Sequence, residues 1–145
     1  MKISSLTDIG NTREMNQDYL YSSEESVGKL PNLFLVADGM GGHKAGEFAS
    51  RYVVEHIVRS IKGSKEEEAV GILSESIETA NRKLKEYADA HQQMRGMGTT
   101  IVAAVIQGRT LLVANVGDSR LYIVGDEITQ VTQDHSLVPV SYTHL

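Results

Sequence analysis

The sequence predicts an α+β fold, in which short strands come first, two amphipathic helices follow and further strands complete the chain. Apolar residues form short continuous runs before residue 38 and short β-branched runs after residue 98. Between residues 45 and 90 they recur instead every three or four positions, which is the period of a helix. Strands, then helices, then strands is an order typical of α+β domains.

Length and composition are those of a soluble globular domain. The chain has 145 residues, 41% of them hydrophobic and 23% charged, and no apolar run approaches the roughly 20 residues that span a bilayer. The first residues lack the apolar segment of a secretory signal. We therefore expect a cytoplasmic protein with no membrane partner.

Charge and cysteine content exclude two classes of site. The formal net charge is -5 and the basic residues are scattered, so the phosphate-neutralising surface of a nucleic-acid-binding protein is missing. Cysteine is absent, which excludes disulfides and thiolate zinc sites. Any bound metal must then be held by carboxylates, imidazoles or carbonyls, and such a ligand set favours hard cations.

The first half of the chain predicts three strands and two helices. The strands lie at residues 2–9, 18–22 and 33–37, and the third ends at Asp38. A first helix runs from about Ala45 until Gly63 ends it, and residues 64–67 form a capping box for a second. The apolar stripe of the second helix consists of Val70, Leu73, Ile77, Ala80, Leu84 and Tyr87.

The second half predicts a four-stranded antiparallel meander. Strands at residues 99–106 and 110–116 are joined by a turn at 107–109, and two more follow at 120–124 and 128–132. Residues 139–145 have neither a helical nor an alternating pattern, and we expect them to lie outside the domain formed by residues 1–138.

Three aspartates stand at predicted strand boundaries and could form a metal site. They are Asp18, Asp38 and Asp118. Mg²⁺ and Mn²⁺ prefer carboxylate and carbonyl oxygens, and a pair of such ions can activate water and hold a phosphoryl group. The alternative is that the three acids only form turns, because the Asp side chain often bonds to nearby backbone N–H groups.

Two further residues are candidates for phosphate chemistry. Arg13 precedes Asp18, and a guanidinium there could bind two phosphate oxygens, but its position alone favours a solvated surface residue. His43 follows Asp38 in a glycine-rich loop and could protonate a leaving group, or could simply lie exposed before the helix. The loop itself lacks the spacing of a nucleotide-binding motif.

Five separated motifs resemble those of the bacterial protein phosphatase 2C-like (PPM) family of metal-dependent serine/threonine phosphatases. They occur in family order and cover most of residues 1–138. The motifs are Gly-Asn-Thr-Arg-Glu-Met-Asn-Gln-Asp at 10–18, Val-Ala-Asp-Gly-Met-Gly-Gly-His-Lys-Ala-Gly-Glu at 36–47, Gly-Met-Gly-Thr-Thr at 96–100, Asn-Val-Gly-Asp-Ser-Arg at 115–120 and Thr-Gln-Asp-His-Ser at 132–136.

The resemblance implies an antiparallel β-sandwich flanked by helices, with a centre of two Mn²⁺ or Mg²⁺ ions at one end. Asp18, Asp38 and the backbone carbonyl of Gly39 would be metal ligands, and Asp118 would belong to a third, weaker metal position. Arg13 would bind the substrate phosphate, and His43 is a candidate acid for the leaving group. The implied reaction is attack of a metal-activated water on phosphoserine or phosphothreonine, without a phosphoenzyme.

The resemblance also implies that part of the domain is missing. In the family, two further elements each supply a metal aspartate, and the remaining strands and helices of the sandwich follow. We expect this chain to be a truncated form, weakly active or inactive, with the sheet residues Val102, Val105, Leu112 and Val113 partly uncovered.

Expected partners are phosphorylated proteins and a serine/threonine kinase, and the complete protein is expected to be a monomer. The alternative is a non-catalytic regulatory or binding module that keeps the fold.

Overall fold

Two helices pack on one face of an antiparallel sheet in the computed structural model, which describes residues 1–42, 44–134 and 140–143. No helix within these residues is long and apolar enough to cross a membrane. In chain order the elements are β1 (Asp18–Ser23), β2 (Leu33–Met40), α1 (Ala45–Gly63), α2 (Ala69–Ala90), a short 3-10 helix (Gln92–Met94), β3 (Gly98–Thr99), β4 (Ile101–Gln107), β5 (Thr110–Val116), β6 (Tyr122–Val124), β7 (Ile128–Gln130) and β8 (Val140–Thr143).

The main sheet has the order β1-β2-β4-β5-β8, and β3 continues it beside the last residues of β2. All of its neighbouring strands are antiparallel. The β1–β2 register places Asp18 directly opposite Asp38. Two of the predicted acids are therefore brought together by strand pairing alone.

The main core lies between this sheet and the two helices. Every second residue of β2 is buried against the helices, beginning with Leu33, Leu35 and Ala37. Val54, Ile57 and Ile61 of α1 recur at helical spacing and are at most 1% exposed. A smaller apolar cluster covers the opposite face of the sheet and consists of Val102, Ala104, Leu111, Val113 and Val131, with Phe34, Ile106, Leu121 and Ile123 packed against it.

The α+β class, helix α1 and the β4–β5 hairpin are confirmed, but the predicted strand at residues 2–9 is absent. That segment has no regular structure, and Leu6 is 89% exposed. Its apolar side chains gain too little burial to offset the entropy of ordering the chain. The carboxylate of Asp8 instead accepts a hydrogen bond from Gly10 N in a local turn.

The predicted capping box is also wrong, because α2 begins only at Ala69 and its N-cap residue makes no side-chain hydrogen bond. Ser64 Oγ bonds to Glu66 N and to a carboxylate oxygen of Glu75. Lys29 reaches across to the carbonyl oxygens at positions 65 and 66 and to the Glu67 carboxylate. These contacts from outside the segment hold residues 64–67 as a loop.

The expected four-stranded meander is interrupted after β5. Among the residues that the structure describes, strands β6 and β7 pair only with each other and form a separate two-stranded sheet. Gly117 has a φ of 98°, a conformation that turns the chain out of the main sheet at low cost only for glycine.

The apolar sheet residues that were expected to be partly uncovered are buried. Val102, Val105, Leu112 and Val113 are 6%, 0%, 7% and 1% exposed. Val105 and Leu112 face the helices, whereas Val102 and Val113 belong to the smaller cluster on the other face. Among the later strands, the β6–β7 hairpin is the more exposed part, since its residues Val124 and Ile128 are each 72% exposed.

Part of the segment 139–145 differs from the expectation that it has no regular pattern. Residues 140–143 form β8, whose register with β5 runs from Thr110↔Thr143 to Val113↔Val140. The open hydrogen-bonding edge of β5 accepts this segment, and its sequence of Val, Ser, Tyr and Thr is rich in residues that favour strands.

Candidate active site

Asp18 and Asp38 form the centre of the candidate site. Asp18 is the first residue of β1, and its backbone N–H donates to Asn16 Oδ1 over 3.0 Å. Asp38 alternates with the buried residues Ala37 and Gly39, so its side chain lies on the sheet face away from the helices. Both carboxylates are exposed to solvent and can receive a ligand.

Asp38 lies within its strand, and not at the strand end where the sequence places it. Strand β2 continues to Met40 because β3 pairs with Gly39 and Met40. The backbone of Asp38 is held on the β3–β4 side by Thr100, whose N–H donates to Asp38 O over 2.9 Å and whose hydroxyl accepts from Asp38 N over 3.0 Å. The strand therefore fixes this carboxylate more firmly than a loop would.

The carboxylate of Asp38 lies in a negative environment. Partial burial raises the pKa of Asp38, and the negative charge of Asp18, a side-chain hydrogen bond with Asp18 and the charge of Asp118 raise it further. The Arg13 guanidinium opposes these effects and lowers the pKa of Asp38. Like charges held close together are destabilising unless a cation lies nearby, so this environment favours cation binding.

A cleft of about 500 Å³ opens beside the two carboxylates. Arg13 lines it together with Asp18 and Asp38, so these three predicted site residues share one cavity. The remaining lining comes from the chain before β1 and from the end of β2, namely Asp8, Ile9, Met15, Asn16, Gln17, Gly39, Met40 and Gly41. The cleft thus combines three carboxylates, those of Asp8, Asp18 and Asp38, with one guanidinium that can bind an anion.

Position 39 must be glycine because helix α1 packs so close to it, and not because the chain makes a tight turn there. A Cβ atom at this position would lie 1.9 Å from the carbonyl oxygen of Gly46 and 3.0 Å from Gln17 O. The N–H of Gly39 donates to Gln17 O over 3.0 Å, and Ser50 Oγ of α1 donates to the same oxygen over 2.7 Å. The first turns of α1 are therefore packed directly against the backbone that carries Asp38.

Asp118 lies in the turn between β5 and β6 and is exposed. The turn is anchored by Asn115, whose side-chain amide donates to Gly117 O and Gln133 O, and by Arg120, which bonds to both carboxylate oxygens of Asp134 over 3.0 and 2.7 Å. The charge of Asp118 raises the pKa of Asp38, but its side chain is not part of the cleft lining.

The donor set fits a hard divalent cation, although the described residues do not complete a metal site. Asp18 and Asp38 supply adjacent carboxylate oxygens, which Mg²⁺ and Mn²⁺ prefer. Within residues 1–42, 44–134 and 140–143, no three carboxylate, imidazole or thiol groups converge closely enough to bind one ion. The predicted acid His43 lies outside the described residues.

Sequence reasoning did not identify the side chains that support the acids. Thr100 is only 2% exposed and bonds to Asp38 N as well as to Ser119 Oγ. Asn115 is similarly buried and bonds to the 117–120 turn. Both residues stand in the five motifs, but their roles depend on strand pairing across more than 60 positions and on a turn geometry that spacing does not reveal.

The chain is similar to known bacterial phosphatases. The protein phosphatase 2C family model matches residues 11–144. The serine/threonine phosphatase stp of Listeria innocua is 40% identical over 141 residues, which are 91% of this chain and 54% of that protein. The Streptococcus agalactiae serine/threonine phosphatase structure matches with a TM-score of 0.77 at 40% identity, covering 91% of this chain and 55% of that one.

A structure of the catalytic domain of the serine/threonine protein phosphatase PstP, in complex with two manganese ions, matches with a TM-score of 0.75 at 32% identity. The match covers 88% of this chain and 53% of that one. The chain thus spans about half the length of the curated relatives it matches. The match of the family model over residues 11–144 shows that the chain belongs to the protein phosphatase 2C family.

Proposed function

We propose that the chain contributes to a metal-dependent phosphatase site that hydrolyses phosphoserine and phosphothreonine on proteins. The observation that carries this proposal is the Asp18–Asp38 pair, which faces one cleft together with Arg13. Two carboxylates can hold cations, while a guanidinium can bind phosphate oxygens. The family relationship supports this chemistry over other uses of a paired acid.

The metal ligands in this proposal are Asp18, Asp38 and the backbone carbonyl of Gly39, and Asp118 serves a third, weaker position. The ions would be Mn²⁺ or Mg²⁺, and the two manganese ions named for the PstP structure support this assignment. When bound, such ions acidify water and neutralise the charge of a phosphoryl group.

The side chains of this chain would bind the phosphate group and keep the acids in place. Arg13 offers a planar set of N–H donors that can bind two phosphate oxygens, and its positive charge already reaches Asp38. Thr100 holds the Asp38 backbone on both its N–H and its carbonyl side. His43 is proposed to give a proton to the departing serine or threonine oxygen, because an imidazole titrates near neutral pH.

The substrates in this proposal are phosphorylated proteins, including those modified by a partner serine/threonine kinase. The chain alone is proposed to be weakly active or inactive, because its described residues do not bring three ligating side chains together. Binding of a phosphorylated peptide is then a more informative measurement than turnover.

The experiment is a fluorescence anisotropy titration of a labelled phosphothreonine peptide in Mn²⁺. We expect the chain to bind the phosphopeptide more tightly than the same peptide without phosphate, and Arg13→Gln to weaken binding about tenfold, since it removes a charge-assisted contact. Arg109→Gln, an exposed arginine in the β4–β5 turn, is the matched control and should bind as the wild type does. Equal binding of the two peptides, or equal losses in the two variants, would contradict the proposal.

The alternative is a non-catalytic binding module that retains the phosphatase fold. The observation in its favour is that Asp18 and Asp38 lack a third ligating side chain within the described residues. Such a module would bind the phosphopeptide without any dependence on Mn²⁺. The same titration in EDTA distinguishes the two, because the phosphatase proposal requires binding to weaken when the metal is removed.

A further inference from the structure

Thr100 connects two parts of the candidate site. It stands between β3 and β4, is 2% exposed, and its hydroxyl group accepts a hydrogen bond from Asp38 N over 3.0 Å. The same hydroxyl bonds to Ser119 Oγ over 2.6 Å. A single buried oxygen therefore links the strand that carries Asp38 to the turn that carries Asp118.

The turn also packs directly against Thr100. Gly117 has a φ of 98°, and a Cβ atom there would lie 2.8 Å from Thr100 Cγ2. On its other side, the turn is held by the amide of Asn115 and by the Arg120–Asp134 ion pair. Those contacts anchor the turn to the segment around residue 133, whereas the Thr100–Ser119 contact ties it to β2.

We infer that the hydroxyl pair of Thr100 and Ser119 positions Asp118 relative to Asp38, and thereby sets the affinity for the divalent cations that these two aspartates are proposed to bind. The metal part of this inference rests on the proposed function. The two hydroxyls act as positioning groups, since neither residue lines the cleft. The charge of Asp118 raises the pKa of Asp38, which is consistent with the two carboxylates lying near each other.

A hydroxyl pair suits this task because each oxygen can donate one hydrogen bond and accept others. Thr100 Oγ1 accepts from Asp38 N and still has a proton or a lone pair for Ser119 Oγ. Valine has nearly the same shape but loses both contacts, so Thr100→Val leaves the turn without this link. Groups that orient metal ligands without touching the metal typically change metal affinity by about 10–100-fold.

The test compares Thr100→Val and Ser119→Ala with two matched variants. Thr100→Ser keeps the hydroxyl. Thr99→Val removes a neighbouring hydroxyl, which donates to the backbone oxygens of Asp38 and Thr100. Two measurements are made on each chain: ¹⁵N relaxation order parameters of residues 117–119 in EDTA, and Mn²⁺ affinity by electron paramagnetic resonance.

We expect Thr100→Val and Ser119→Ala to lower the order parameters of the turn from about 0.85 to below about 0.6. Both should also weaken Mn²⁺ binding about tenfold. Thr100→Ser and Thr99→Val should bind Mn²⁺ as the wild type does and keep the turn rigid.

Two outcomes overturn the inference alone, provided that the wild-type chain binds Mn²⁺. One is a turn that stays rigid in Thr100→Val, and the other is a loss of affinity in Thr99→Val equal to that in Thr100→Val. A wild-type chain that binds no Mn²⁺ contradicts the proposed function itself and, with it, the metal part of this inference. The order parameters, measured without metal, report on the positional link in either case.

Discussion

In the protein without bound metal, the negative charge of Asp38 destabilises the folded chain. Partial burial and the neighbouring charges of Asp18 and Asp118 raise the pKa of Asp38 above the usual value of 3.8. A carboxyl group whose pKa is raised by folding binds its proton more tightly in the folded state. Its contribution to stability is therefore most favourable at low pH and is lost as the pH rises through the raised pKa.

Neutralising Asp38 should accordingly stabilise the chain in the absence of metal. We expect Asp38→Asn to raise the thermal midpoint in EDTA at pH 7 by about 2 °C, a small effect because solvent screens the exposed carboxylate. The difference from the wild type should shrink as the pH falls towards 4, because the wild-type carboxyl then becomes protonated. Differential scanning calorimetry at several pH values measures both effects. A midpoint at pH 7 below that of the wild type would contradict this explanation.

The sequence alone identifies the acidic residues of the site better than it identifies the residues that hold them in place. Asp18 and Asp38 are candidates by residue type and position, Arg13 becomes one through the family resemblance, and the structure places all three on one cleft. Thr100 and Ser119 carry no comparable chemical signal, because a hydroxyl group in a strand or turn is common. Their relevance depends on a 2.6 Å contact that only the folded chain creates.

At the scale of elements, strand β2 and helix α1 form one unit whose contact depends on glycine. The backbones of Gly39 and Gly46 approach each other so closely that no side chain fits between them. Helix α1 could be predicted from its apolar period and from Gly63, and its bounds are Ala45–Gly63. The extension of β2 to Met40 could not, because it depends on pairing with two residues of β3 that lie 58 positions or more away in sequence.

Alanine substitutions at Gly39 in β2 and at Gly42 just after it should therefore have different effects. Gly39→Ala places a Cβ atom 1.9 Å from Gly46 O, which forces β2 and α1 apart. We expect a loss of about 3 kcal/mol or more in the free energy of unfolding. At Gly42 a Cβ atom meets no described atom within 4 Å and the backbone needs no positive φ, so Gly42→Ala should be neutral or stabilise by about 0.5 kcal/mol.

Urea unfolding followed by circular dichroism compares these two variants. The explanation fails if Gly39→Ala unfolds at the same urea concentration as Gly42→Ala. A smaller slope of the free energy of unfolding against urea concentration, with an unchanged midpoint, would indicate that Gly39→Ala changes the surface exposed on unfolding. That is not the expected result.

For the whole molecule, the order of strands and helices was predictable and the arrangement of the later strands was not. Alternation and helical period act locally, so they identify β1, β2, α1 and the β4–β5 hairpin. Whether a following hairpin joins the sheet depends on the direction of the turn before it, and Gly117 directs β6 and β7 away. The prediction of a capping box at residues 64–67 was wrong for a related reason, because Lys29, which is distant in sequence, bonds to the backbone of that loop.

The whole molecule is a helix-covered sheet of the protein phosphatase 2C family, in which Asp18 at the start of β1 is paired with Asp38 of β2. Its central claim is that Asp18 and Asp38 bind a divalent cation. Cation binding should stabilise the folded chain by mass action, because the register that pairs these two acids exists only in the folded state.

The most direct test is isothermal titration calorimetry of the chain with Mn²⁺. We predict saturable binding by the wild type, a loss of at least about tenfold in affinity for Asp38→Asn, and unchanged affinity for Asp126→Asn, which removes an exposed carboxylate from the β6–β7 turn. Equal Mn²⁺ affinity in the wild type and in Asp38→Asn would contradict the claim.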